Sequence, residues 1–211
     1  MQQNTSHAVM AQRHEPKDSR DDFPTPPWAT RALVEHVIGA DRVKDLNCLE
    51  PACGRGYMAR PLAEYFETVV AADAHCYGFA PVRDFLSYPY EAGAHDWVIT
   101  NPPFRLAEDF VERALSVARV GVAILARTVF LESVGRYRSI FRDRPPAIFA
   151  QFSERVPMVK GRVDQRATTA TGYAWFVWLH GNNNPPQLAW VPPCRKGLER
   201  AGDYNQFSCL S

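Results

Sequence analysis

Residues 99–104 read Ile-Thr-Asn-Pro-Pro-Phe, an apolar run followed by an amide, two prolines and an aromatic ring. Adjacent prolines donate no backbone hydrogen bond and hold φ near about −65°, so a strand must end here with its carbonyls fixed in direction. Asn101 and the Pro102 carbonyl then become acceptors on a loop stiffened by Pro103, with Phe104 beside them as a stacking surface. Upstream, Glu50-Pro51-Ala52-Cys53-Gly54-Arg55-Gly56 sets an acid before two glycines. Gly54 suits a tight turn with positive φ, and Gly56 lets backbone approach a ligand at a helix N-terminus. Such a G-x-G is also an ordinary turn, and the missing third glycine of the dinucleotide fingerprint counts against a nicotinamide or flavin. Asp73, roughly 20 residues on, is where a carboxylate can accept from both hydroxyls of a ribose, although alone it also reads as a helix N-cap. Asp84 and Phe85 pair an acceptor for an adenine amino group with a ring for its face, or are a loop acid beside a core ring. The turn and Asp73 together point to a nucleoside-bearing cofactor.

These residues need strand ends to carry them. Residues 47–52 (NCLEPA), 68–72 (TVVAA), 95–100 (HDWVIT) and 121–126 (GVAILA) read as strands, the last as an apolar run buried on both faces. Helical spacing covers residues 28–38, 57–66 and 106–117, with a shorter helix over 136–141. A further strand is expected to end at Asp84. Residues 147–150 and the aromatic run 173–179 (YAWFVWL) follow, the latter mostly core with one face toward the site. The alternation predicts an α/β doubly wound, Rossmann-like sheet, mostly parallel with an antiparallel C-terminal strand, holding ligands at the carboxyl ends of its strands. Residues 181–211, rich in Pro and Asn, read as an extended tail packed on the body.

Composition narrows the function. With 211 residues, 46% of them hydrophobic, the chain can bury one sizeable core, and a net charge of +1 restricts any nucleic-acid contact to a local patch. Cys48, Cys53, Cys76, Cys194 and Cys209 form no C-x-x-C pair and are odd in number, which predicts reduced thiols rather than zinc or disulfides. The histidines lack metal-ligand spacing, so no metal is expected. Residues 1–22 are polar, without an apolar signal region, and read as a flexible tail; the most apolar stretch, 120–131, is interrupted by Arg127 and falls short of the ~20 residues of a membrane span. A cytoplasmic protein with no membrane partner is expected.

In that order, E-x-x-x-G-x-G, a strand-end Asp, D-F-L and NPPF resemble motifs I to IV of the class I S-adenosylmethionine-dependent methyltransferases. NPPF resembles the amino-group methyltransferases acting on adenine in nucleic acids. FPTPPWAT, residues 23–30, is similar to the segment that opens small DNA adenine methyltransferases of phages and prophages, and FLES, RVPMVKGR and TGYAWFVW also look like that family. The likeness covers about residues 22 to 180, and implies a methyltransferase domain over 23–180 in a bacterial or phage-encoded protein of the host cytoplasm. It implies that Phe23 and Thr25 hold the methionine end of S-adenosylmethionine, that Glu50, Pro51, Ala52, Gly54 and Gly56 surround it, that Asp73 takes the ribose, and that Asp84 and Phe85 take the adenine. Asn101, Pro102, Pro103 and Phe104 would grip a flipped-out target adenine for methylation at N6.

No block long enough to be a separate target-recognition domain follows NPPF, so a site-specific and a low-specificity enzyme are both open. Residues 127–166 instead carry nine basic residues against four acids, and Arg127, Arg155, Lys160, Arg162 and Arg166 are the candidates for DNA phosphate contact, a solvated charged face being the alternative. RNA adenine or a protein glutamine are competing substrates, though Tyr is more usual after NPP in glutamine methyltransferases; cytosine N4 more typically goes with Ser at position 101. A cofactor-binding partner subunit without catalysis is the competitor from another class.

Overall fold

The computed structural model describes residues 21–205; most of the expected N-terminal tail, Cys209 and the end of the C-terminal tail lie outside them. In chain order the elements are α1 (Pro27–Leu33), β1 (Asn47–Glu50), α2 (Ala59–Leu62), β2 (Thr68–Ala71), β3 (His95–Thr100), α3 (Ala107–Val117), β4 (Ala118–Arg127), α4 (Val134–Arg136), β5 (Ile148–Phe152), β6 (Tyr173–Leu179), β7 (Gln187–Val191) and α5 (Arg195–Leu198). The strands form one sheet in the order β2-β1-β3-β4-β6-β5-β7. β1 to β4 pair parallel, and β6 runs antiparallel to both β4 and β5. This is the expected α/β sheet.

The residues explain the layering. β6 is buried along almost its whole length, which requires cover on both faces. Its alternate residues Trp175 and Val177 join α1 residues Trp28 and Leu33 on one face, while Phe176 and Trp178 join Phe110, Val111 and Ala114 of α3 on the other. The Trp175 indole N–H donates to the Ala29 carbonyl at 3.1 Å, tying α1 to the sheet. α3 buries Ala107, Phe110, Val111, Ala114 and Val117, one apolar stripe at helical spacing, and starts with Glu108 and Asp109 where the helix dipole favours acids.

Three expectations change. No strand ends at Asp84: after a lone bridge between Asp73 and Val82 the chain turns, and the Asp84 carboxylate accepts from the Leu86 N–H (3.1 Å) and the Ser87 hydroxyl (3.1 Å). The C-terminal tail is not merely extended, because between its proline pairs β7 pairs parallel to β5 as an edge strand, the position that tolerates flanking prolines. Asp21 and Asp22, assigned to the flexible tail, are both bonded to the body.

The sheet grows from β1 to β2 on one side and then returns to β3 on the other. That reversal opens a crevice beyond the carboxyl ends of β1 and β3. Glu50 is the last residue of β1, Asp73 lies just past β2, and Asn101 follows β3 directly.

Candidate active site

The crevice is a cleft of about 1200 Å³. Phe23, Thr25, Glu50, Pro51, Ala52, Gly54, Asp73, Asp84, Phe85, Asn101, Pro103, Phe104 and Arg127 all line it. Residues remote in sequence and singled out for chemistry thus converge on one cavity.

Glu50 anchors the floor. Its Oε1 accepts from the Thr100 hydroxyl (2.6 Å) and the Ala52 N–H (3.2 Å), while Oε2 is buried without a partner. Burial, the largest effect, raises its pKa to about 8, the nearby Asp73 charge adding to the rise while the two hydrogen bonds oppose it. Burial therefore favours the protonated form of Glu50 at neutral pH. Asp73 is raised by burial too, against N–H bonds from His75 to Oδ1 (2.8 Å) and Gly54 to Oδ2 (2.8 Å). Each Asp73 oxygen keeps further acceptor capacity.

Gly54 and Gly56 adopt φ of 50° and 82°, the left-handed conformation their turn requires. Gly56 does not line the cleft; a Cβ there would meet the Phe79 ring at 2.5 Å. Its role is to let Phe79 pack onto the turn, a correction to the expected backbone approach to ligand. Phe85 packs against Phe110 and Tyr90 at ring separations of 5.1 and 5.8 Å, so it is a core ring at the cleft wall.

Around Asn101 the chain beginning at Asp21 forms a strap. The Asn101 Nδ2 donates to the Phe23 carbonyl at 2.8 Å and lies 3.9 Å from Met158 Sδ, while its Oδ1 is buried without a partner. Asp21 Oδ2 accepts from the Phe104 N–H at 2.6 Å, Asp22 pairs with Arg55 at 2.8 Å, and the Asp22 carbonyl accepts from the Gly161 N–H at 2.8 Å. The Phe23 and Phe104 rings are 5.6 Å apart, and Arg127 stands 4.0 Å over the Phe104 centroid. Pro103 is half-buried at the cleft, whereas Pro102 is buried and is the one residue of the expected Asn101–Phe104 set that does not line it.

Three oxygens of this cleft, Thr25 Oγ1, Glu50 Oε2 and Asn101 Oδ1, are buried and unpartnered. Each such orphan costs about 1–3 kcal/mol, and three sharing one cavity mark it as built for polar ligand atoms. Arg155, Lys160, Arg162 and Arg166 are exposed and do not line the cleft, and Arg162 pairs with Asp164 at 3.2 Å. Only Arg127 of the basic candidates reaches the cavity. Sequence reasoning missed Asp21, Arg55, Tyr77, Arg105, Met158 and the threonines of residues 168–171 among the lining. Arg55, Arg105, Met158 and Thr171 sit inside or next to quoted motifs and could have been found; the others depend on long-range packing.

No protein-family model matches the sequence, and neither does any curated protein. Solved structures do match. A protein from Vibrio vulnificus described as a type I restriction-enzyme modification subunit superposes with a TM-score of 0.59 at 14% identity, over 81% of this chain and 47% of that one. The chain shares its fold with solved methyltransferases. A Pyrococcus horikoshii protein described as an RNA methyltransferase gives 0.55 at 14% identity, over 79% of this chain and 90% of that one. One from Agrobacterium tumefaciens described as an O-methyltransferase gives 0.51 at 12% identity, over 80% and 86%. The chain spans about half the length of the modification subunit. Among the described residues, no helix is long and apolar enough to cross a membrane and no group of His, Cys, Asp or Glu could hold a metal ion.

Proposed function

We propose that this chain is an S-adenosylmethionine-dependent methyltransferase acting on the N6 amino group of adenine in DNA. The observation carrying this reading is the orphaned Asn101 Oδ1 in the cleft. With Nδ2 committed to the Phe23 carbonyl, the amide cannot flip without setting two oxygens against each other, so its oxygen is held as an acceptor. An acceptor fixed beside an aromatic ring suits an amino group carried on a flat base.

The cleft residues fit the cofactor. Glu50 Oε2 and Thr25 Oγ1 are free acceptors for its amino-acid end, Asp73 has capacity left for ribose hydroxyls, and the cavity exceeds the ~300–1,000 Å³ of a usual small-ligand pocket, room for cofactor and base together. When bound, S-adenosylmethionine supplies an electrophilic methyl group on a sulfonium.

An exocyclic adenine nitrogen is a poor nucleophile because its lone pair is delocalised into the ring. Asn101 Oδ1 accepts one of its N–H bonds and favours the pyramidal form that localises the pair on the way to the transition state. The prolines keep this acceptor aligned, and Phe104 stacks on the base. No general base is needed before attack, since the nitrogen sheds a proton only after gaining the methyl. A duplex adenine must be flipped to reach this depth, at a cost of a few kcal/mol partly offset by stacking.

The test compares methyl transfer from labelled S-adenosylmethionine to unmethylated DNA for the unaltered chain and Asn101→Ala. The expected result is a loss of about 10²- to 10³-fold in kcat with cofactor affinity retained. Unchanged transfer would remove Asn101 from the chemistry. Label entering RNA but not DNA would give the RNA reading instead.

A further inference from the structure

The ring assigned to stack on the target base is already covered. The Arg127 guanidinium stands 4.0 Å from the Phe104 centroid, within cation–π range, while Phe23 sits at 5.6 Å, tilted by 35°. Arg127 is the last residue of β4, and its backbone is pinned: it pairs with Tyr173, and the next N–H, of Thr128, donates to the Gly172 carbonyl at 3.0 Å. Only the side chain is free to move. Its Nε is buried without a partner, so the stacked position leaves a donor unmet and is easily given up. Arg136, by contrast, donates to the Phe130 carbonyl at 2.7 Å and pairs with Glu108 at 3.3 Å, the pattern of a structural arginine.

A guanidinium is flat, delocalised and rimmed with hydrogen-bonding edges, so on a phenyl face it occupies the volume and shape of part of a purine. We propose that Arg127 is a plug: it fills the base site while no base is present and swings away as the target base enters, setting the threshold for entry rather than adding phosphate affinity. The inference rests on the base-methylating reading given above. An unpaired base displaces the plug readily, whereas a paired base must meet the cost of leaving the duplex as well. Arg127 thus raises the threshold for every base alike, and the seated fraction stays appreciable only for bases that are cheaply extruded. It is a positioning residue, distinct in role from the exposed Arg155, Lys160, Arg162 and Arg166.

The experiment uses the full chain with the cofactor analogue sinefungin and a short oligonucleotide carrying 2-aminopurine. Emission of the 2-aminopurine reads seating of the base, and anisotropy reads overall DNA affinity and its salt dependence. Arg127→Ala should raise the fraction of seated base about threefold to tenfold with the salt slope unchanged. Arg127→Met, which keeps bulk without charge, checks that the effect is not a general loosening, and both variants must melt with the parent. In a Phe104→Leu background, where the plug has lost its seat, Arg127→Ala should have no further effect. Seating that falls or stays the same, with a salt slope reduced by about one, would make Arg127 a phosphate contact and overturn the plug alone. A base-independent signal from parent and variant alike, with sinefungin still bound, would overturn the base-methylating reading and the plug with it.

Discussion

Replacing Glu50 by Gln isolates the buried carboxyl on which cofactor binding is proposed to turn. Burial raises this group from 4.5 to about 8, so ionising it in the folded chain costs up to about 5 kcal/mol more than in the unfolded one. The sign follows from proton counting: between pH 4.5 and 8 the folded state holds a proton that the unfolded state has released, so stability falls as pH rises through that window and the penalty is complete above it. Between pH 6 and pH 9 the loss is about 3 kcal/mol, on the order of 6–12 °C in Tm for a chain of this size. Glu50→Gln keeps the oxygen that accepts from Thr100 and Ala52 and removes the titration, so its Tm should stay higher than the parent's at pH 9. S-adenosylhomocysteine, bringing an ammonium to the ionised carboxylate, should release close to one proton on binding at pH 7, read by calorimetry in buffers of different ionisation enthalpy. In Glu50→Gln that release should vanish and affinity drop by about 10- to 100-fold. Parallel pH profiles for the two proteins, or proton release that survives the substitution, would refute the reasoning.

Other substitutions reach the scaffold and the surface. Arg31 is buried between Glu64 (2.8 Å) and Asp203 (2.7 Å) and ties α1 to the C-terminal segment; Arg31→Met leaves the buried Asp203 without its cation, Glu64 keeping Arg200 at 2.8 Å, and should cost about 3–5 kcal/mol in urea unfolding, whereas a loss under about 1 kcal/mol would mean the cluster is idle. Gly56→Ala drives a methyl into Phe79 at a φ of 82°, so it should destabilise by at least about 1–3 kcal/mol, and more than Gly54→Ala, whose Cβ meets nothing; the reverse ranking by thermal melts would contradict the packing. Neutralising Arg155, Lys160 and Arg162 together should weaken DNA binding and lower the salt slope by about three while cofactor affinity holds; equal loss of both would indicate a folding defect.

Periodicity made the centre of the fold legible. β3 and β6 run over the residues the patterns predicted, and α3 starts one residue later than expected, because each buries its apolar residues at the spacing its geometry demands. The strand expected before Asp84 is absent because what looks like a strand end is an Asx turn, a local side-chain bond imitating one. β7 was hidden by its flanking prolines, which mark loops in sequence but do not bar an edge strand. In the cleft, acids and amides at strand ends could be placed from order alone. Asp21 and the Phe23 carbonyl could not, since their bonds to Phe104 and Asn101 cross about eighty residues of chain. Arg127 was picked out by its charge, but its seat on Phe104 is visible only in three dimensions.

The most direct test of the central claim is mass spectrometry of nucleosides after incubating the purified chain and S-adenosylmethionine with unmethylated DNA, with RNA in parallel. The account predicts N6-methyldeoxyadenosine in the DNA digest, absent when Asn101→Ala replaces the unaltered protein. Methylation at any other position, or of neither nucleic acid while S-adenosylmethionine binds, would contradict it.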